Sequence, residues 1–129
     1  MLLRVDINAP IDPDTGYIVN DARIVKSLPT IRDLSDRGAR LVIMAHQGDA
    51  LDYHNLVSLR EHAGILSEKL DRNVAFIDDV AGPAARAAVQ ALGDGEILLL
   101  ENLRILTEEV STFESAVKLT PSEMTKTYL

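Results

Sequence analysis

Four short apolar runs, LLRVDI at 2–7, RLVIMA at 40–45, NVAFI at 73–77 and EILLL at 96–100, recur along the chain with a helical pattern between successive runs. Three of them lack a polar face, as strands covered on both sides do. The first helical stretch, 21–37, sets Ile24, Leu28, Ile31 and Leu34 at helical spacing and stops at Gly38. Pro29 lies in its middle and removes a backbone donor, so the expectation there is a new helical segment or a kink rather than a straight helix. The second starts at Ser58, with Glu61 completing a capping box, and runs to about Leu70. The third covers 82–92 and ends at Gly93-Asp94-Gly95. Strand and helix alternate three times. The predicted fold is therefore α/β: a parallel sheet with flanking helices, in a Rossmann-like three-layer arrangement.

Length and charge narrow the partners. The 129 residues suit a single domain. With 20 acidic residues against 13 Lys and Arg, the net charge of −7 argues against nucleic acid or an anionic membrane as the default partner, so any phosphate site must be built locally. There is no cysteine, which leaves neither a disulfide framework nor a thiolate metal site and is compatible with a reducing cytoplasm. The apolar runs are too short to span a bilayer and no basic-then-apolar leader opens the chain, so the expectation is a cytoplasmic protein without a membrane partner. No repeat or interdomain linker is visible, and 1–129 reads as one partial domain. Thr120-Pro121-Ser122-Glu123 makes a good helix start with six residues left after it, which suggests that the natural protein or its ancestor continued.

Polar clusters follow three of the apolar runs: RVDINAP at 4–10, MAHQGD at 44–49 and LLLENLR at 98–104. In a parallel sheet the carboxyl ends of the strands share one edge, so Asp6, Asn8, His46 and Arg104 would converge there. Asp6 and Asn8 are equally readable as side-chain caps of a loop whose DPDTG segment makes a tight turn. Asp12, Asp14 and Gly16 resemble part of a calcium loop but lack its distal glutamate. His46 leaves its strand at the sheet edge, as a loop cap or as a ligand. His54 and His62 stand too far apart for a close metal-ligand pair, and no metal is assigned. Arg23 falls in the first turn of a helix, where a cation opposes the dipole and needs another reason to be present; binding an anion is one. Arg104 follows a strand and the pair Glu101-Asn102. It would hold a phosphate or carboxylate with its planar fork, or pair with Glu101, Glu108 or Glu109 at the surface. Neither G-x-x-x-x-G-K-[ST] nor G-x-G-x-x-G occurs, so this segment lacks the usual nucleotide cradles.

The clusters resemble, in order and spacing, a known family. RVDINAP resembles the opening R-V-D-x-N-x-P of phosphoglycerate kinases and NDARI at 20–24 their D-D-T-R-I. MAHQG resembles their M-S-H-L-G and the archaeal-type M-A-H-Q variants, and LLLENLR their L-L-L-E-N-x-R-F. The similarity extends from Leu2 to about Glu109.

The resemblance implies the N-terminal, 3-phosphoglycerate-binding domain of that two-domain kinase, in incomplete form. Under it, Asp6 and Asn8 would hold the hydroxyl and carboxylate end of the substrate, and Arg23 would be the catalytic group that stabilises the phosphoryl group in transfer. His46 and Arg104 would contact the substrate, Arg104 at its phosphate. Such roles suit phosphoryl transfer, which depends on positioning and on cations matched to developing charge. Two departures stand out. Where the family has H-x-G-R-P or H-Q-S-R-P, this chain reads His46-Gln47-Gly48-Asp49-Ala50, so a carboxylate takes the place of a phosphate-binding arginine. Beside a phosphate that exchange costs on the order of several kcal/mol at an intermediate effective dielectric. The later V-N-D-A-F and A-H-R motifs and the domain that binds MgATP or MgADP in the family are absent from these residues, so the segment is expected to bind no cofactor and not to turn over alone. The alternative expectation is a degenerate fragment acting as a non-catalytic binding module, and a stand-alone anion-binding regulator rests on fold analogy only. A sheet edge without its later strands also predicts a homo-oligomer, with the segment from Phe113 to Leu129 exchanged or packed on the exposed face.

Overall fold

The computed structural model describes residues 1–48 and 56–110. The four apolar runs form strands β1 (Leu2–Arg4), β2 (Leu41–Met44), β3 (Val74–Phe76) and β4 (Ile97–Leu99). All three pairings are parallel, in the order β1-β2-β4-β3. Helices α1 (Ala22–Asp36), α2 (Arg60–Leu70) and α3 (Pro83–Ala91) connect them, and a 3-10 turn (Leu103–Ile105) and the short α4 (Thr107–Val110) follow β4.

Period-two alternation divides the core between the two faces of the sheet. Leu41, Ile43 and Ala45, with Val74, Ile97 and Leu99, pack under Ile24 and Ile31 of α1 and Ala63, Leu66 and Leu70 of α2. Val42, Leu98 and Leu100 face the other way, against Ala85 of α3 and Leu92. The strand order accounts for this division. The steps β1 to β2 and β2 to β3 run in one direction across the sheet, and β3 back to β4 runs in the other. One hand of crossover then puts α1 and α2 on one face and α3 on the opposite face. The α/β, three-layer expectation is met.

Two local expectations are corrected. Helix α1 is continuous through Pro29, so no new helical segment begins there. Pro29 and Val25 both lie on the exposed side of the helix, where water can serve the carbonyl that Pro29 deprives of an intrahelical donor, and the hydroxyl of Ser27 bonds the Ile24 carbonyl at 2.7 Å on the turn before. The Ser58–Glu61 capping box does not form. Ser58 Oγ accepts from the Arg60 N–H at 3.2 Å, while Glu61 reaches across to accept from the Ile18 N–H at 3.1 Å. The cap of α2 comes instead from Glu101, whose carboxylate accepts from the Leu59 N–H at 2.9 Å and from Ser58 Oγ at 2.7 Å. A long-range carboxylate has displaced the local one. At α3, Pro83 occupies the first turn, and Asp79 accepts from the Gly82 and Ala85 N–H groups at 3.0 and 2.8 Å. Those bonds hold its carboxyl below the usual carboxylate range, the Ala85 bond first.

Candidate functional site

β1, β2 and β4 are neighbours and parallel, so the polar clusters after them lie along one sheet edge. Backbone pairing continues past the strands, with Val5 N–H to the Met44 carbonyl at 3.2 Å and Leu103 N–H to the Ala45 carbonyl at 3.1 Å. This holds the three loops side by side.

Asp6 is exposed just beyond β1, and its carboxylate accepts from the Asn8 N–H at 3.2 Å. Arg23, in the first turn of α1, donates through Nη1 to both Asp6 oxygens, at 3.1 and 3.2 Å. α1 has no acidic residue in its first turn, and Asp21 at its N-cap pairs with Lys69 at 2.8 Å, so the carboxylate that meets Arg23 is that of Asp6. Asn8 Oδ1 accepts from the Gly48 N–H at 3.1 Å, tying the β1 loop to the β2 loop. Gly48 has φ +100°, a conformation that side chains with a Cβ rarely adopt. His46 and Arg104 are half-buried, and their side chains form no hydrogen bond or ion pair among the described residues. The surface ion pair open to Arg104 is not made. Glu101 is buried on the start of α2, and Glu109 pairs with Arg4 at 2.6 Å. The structure therefore joins Asp6, Asn8 and Arg23 directly, and links His46 and Arg104 to them through backbone.

An open cleft of about 430 Å³ lies between β1 and α1, with Arg4, Asp6, Arg23 and Lys26 as its charged groups. Arg4 and Lys26 were not singled out from the sequence, because their convergence depends on the docking of α1 beside β1. The DPDTG segment is the tight turn anticipated. Asp12 accepts from the Asp14 N–H at 2.8 Å and the Thr15 N–H at 3.4 Å, in that order holding its own carboxyl below the usual value. No group of three or more His, Asp or Glu among the described residues is placed to hold a metal ion. Asp49, His54 and the segment from Phe113 lie outside the described residues.

Beneath this edge lies a buried network that the sequence reading missed. The Asn102 amide accepts from the Gln47 and Arg104 N–H groups, both at 3.0 Å, and donates to the Gln47 and Val57 carbonyls at 3.0 and 2.8 Å. The Gln47 amide accepts from the Ala9 N–H at 2.9 Å and donates to the Ala9 carbonyl at 2.8 Å. His62, fully buried on α2, places Nε2 3.0 Å from Gln47 Oε1. Burial pushes the His62 imidazole down to about 4, opposed in part by the Ile7 backbone, so it is neutral at pH 7. The available signal was two amides, Gln47 and Asn102, directly behind apolar strands in positions where the chain is still buried.

Comparison with known proteins settles the family. The phosphoglycerate kinase family model matches residues 1–128. The chain belongs to the phosphoglycerate kinase family. It is 46% identical to the phosphoglycerate kinase of Methanothermobacter thermautotrophicus over 129 residues, covering 100% of this chain and 30% of that protein. It is 43% identical to that of Sulfurisphaera tokodaii, covering 100% of this chain and 29% of the relative. The crystal structure of phosphoglycerate kinase from Pyrococcus horikoshii superposes with a TM-score of 0.79 at 41% identity, over 97% of this chain and 31% of that one. The chain thus spans about 30% of the length of these phosphoglycerate kinases. Its archaeal-type motif resemblance agrees with these relatives. No helix among the described residues is long and apolar enough to cross a membrane.

Proposed function

We propose that this chain is the substrate-binding part of a phosphoglycerate kinase and takes 3-phosphoglycerate at the edge formed by the β1, β2 and β4 loops. The observation that carries the proposal is the pairing of Arg23 with Asp6 beside an open cationic cleft, in a chain whose net charge is −7. A local concentration of cation against an acidic background is what capture of a phosphorylated carboxylate requires. Asp6 and Asn8 orient the hydroxyl and carboxylate end, and His46 and Arg104 contact the substrate, Arg104 through a bidentate fork on phosphate. Arg23 leaves Asp6 to meet the charge that develops on the transferring phosphoryl group. The reaction is phosphoryl transfer between 1,3-bisphosphoglycerate and ADP in cytoplasmic glycolysis. MgADP or MgATP would be held by residues beyond this segment, and the 129 residues alone would bind without turnover.

The test is calorimetric titration of the chain with 3-phosphoglycerate, together with a coupled assay of ATP-dependent phosphorylation. Saturable binding without turnover supports the proposal. Turnover that survives repurification and disappears in Arg23→Ala would place a complete active unit within these residues. Asp49, standing where the family has an arginine, favours a second reading, a non-catalytic binding module, and absence of 3-phosphoglycerate binding at millimolar ligand would favour it further. The outer edge of β1 carries no strand among the described residues, which supports self-association. Light scattering that gives a monomer mass at every concentration would exclude it.

A further inference from the structure

We propose that Gln47 and His62 are positioning residues: the imidazole fixes the Gln47 amide, and that amide holds the β1 loop with Asp6 and Asn8 in register with the loops bearing His46 and Arg104. The inference rests on the substrate site described above.

Ala9 is buried in the loop that follows β1, outside any strand. The Gln47 amide pairs with the Ala9 N–H and C=O at 2.9 and 2.8 Å, as a neighbouring strand would. A flipped amide would set donor against donor and acceptor against acceptor, so Ala9 dictates which end is oxygen. That oxygen faces His62 Nε2 at 3.0 Å, and a buried neutral imidazole avoids lone-pair repulsion there only by carrying its proton on Nε2. Nδ1 is then a bare acceptor, and it is the one buried side-chain polar atom without a hydrogen-bond partner among the described residues. An apolar core residue would fill the same space without leaving such an orphan. What the His62–Gln47 pair adds is direction. Its bonds run to Ala9, and through the Gln47 backbone to Asn102 and on to Arg104, so one buried cluster fixes the spacing of three loops. A buried polar network of this kind, which leaves one ring nitrogen unsatisfied, specifies geometry more than it adds stability.

The first test is on the unliganded 129-residue chain. Nitrogen NMR of the histidine rings should show His62 as the neutral Nε2–H tautomer at pH 7, and an Nδ1–H tautomer would overturn the proposal. The second is titration with 3-phosphoglycerate. Gln47→Met should bind at least tenfold more weakly, while Leu66→Val, which loosens α2 packing away from the loops, should change affinity less than twofold. A folded Gln47→Met with unchanged affinity would refute the assignment. Should that variant not fold, His62→Leu and His62→Gln decide: a fivefold or greater loss in the first, recovered in the second by its amide donor, supports positioning, and equal losses oppose it. Should the unsubstituted chain bind no 3-phosphoglycerate, the site reading fails by itself. Hydrogen exchange at Ala9 and Gly48 then judges the register, with at least tenfold faster exchange in Gln47→Met in favour and no change against.

Discussion

Arg23 Nη1 sits 3.1 Å from Asp6 Oδ2 and 3.2 Å from Oδ1, across the gap between the first turn of α1 and the loop after β1. Both side chains remain more than half exposed, so solvent screens the pair and it contributes little to folding. An exposed carboxylate neutralises the arginine without locking it, and a dianionic ligand can take that place. Arg23→Ala should therefore change unfolding free energy by less than about 0.5 kcal/mol while weakening 3-phosphoglycerate binding. Urea unfolding beside calorimetry separates the two effects; a large loss of stability with unchanged affinity would make Arg23 a structural residue.

His62 gives the fold a pH dependence with a defined sign. Its folded value of about 4 lies below the ordinary 6.5, so the unfolded chain binds the proton more readily. The contribution is complete above about pH 6.5 and is lost as pH falls toward 4, to an extent of about 3 kcal/mol. Asp12 and Asp79, whose carboxyls are held below 3.8, lose theirs only at still lower pH. Denaturation of the chain and of His62→Gln between pH 7 and pH 4.5 should thus diverge in slope. Parallel curves would mean that His62 is accessible to water.

Asn102→Ala should be among the most damaging single substitutions in the chain. It strands the Gln47 N–H and C=O, the Val57 carbonyl and the Arg104 N–H beside a fully buried position. A loss of about 2–4 kcal/mol follows from several unsatisfied groups acting together. A thermal midpoint within a degree or two of the parent would show that water replaces the amide.

Asp49→Arg is expected to strengthen 3-phosphoglycerate binding, because it reverses one charge two residues after Gln47 on the loop proposed to meet the substrate. Titration of both proteins at low and high salt checks it, the gain shrinking as salt screens the added charge. Equal affinities would mean that position 49 does not face the ligand.

Local pattern in the sequence determined the parallel α/β fold, the order of its elements and the edge where Asp6, Asn8, His46 and Arg104 gather. Apolar runs without a polar face, separated by helical spacing, leave few other ways of burying Leu41, Ile43, Ile97 and Leu99 together. Tertiary structure decided the choice among competing partners. Glu61 stood at capping-box distance from Ser58, yet it bonds Ile18, and Glu101 from the far end of the chain caps α2, because burial rewards the acceptor that is already desolvated against the helix start. Pro29 reads as a new segment or a kink, yet α1 is continuous through it, with Val25 and Pro29 on the side of the helix that water reaches. The His62–Gln47–Asn102 cluster was invisible for the same reason: its members are 15 and 55 positions apart, and only the docking of α2 and the β4 loop against β2 brings their polar atoms within 3.0 Å.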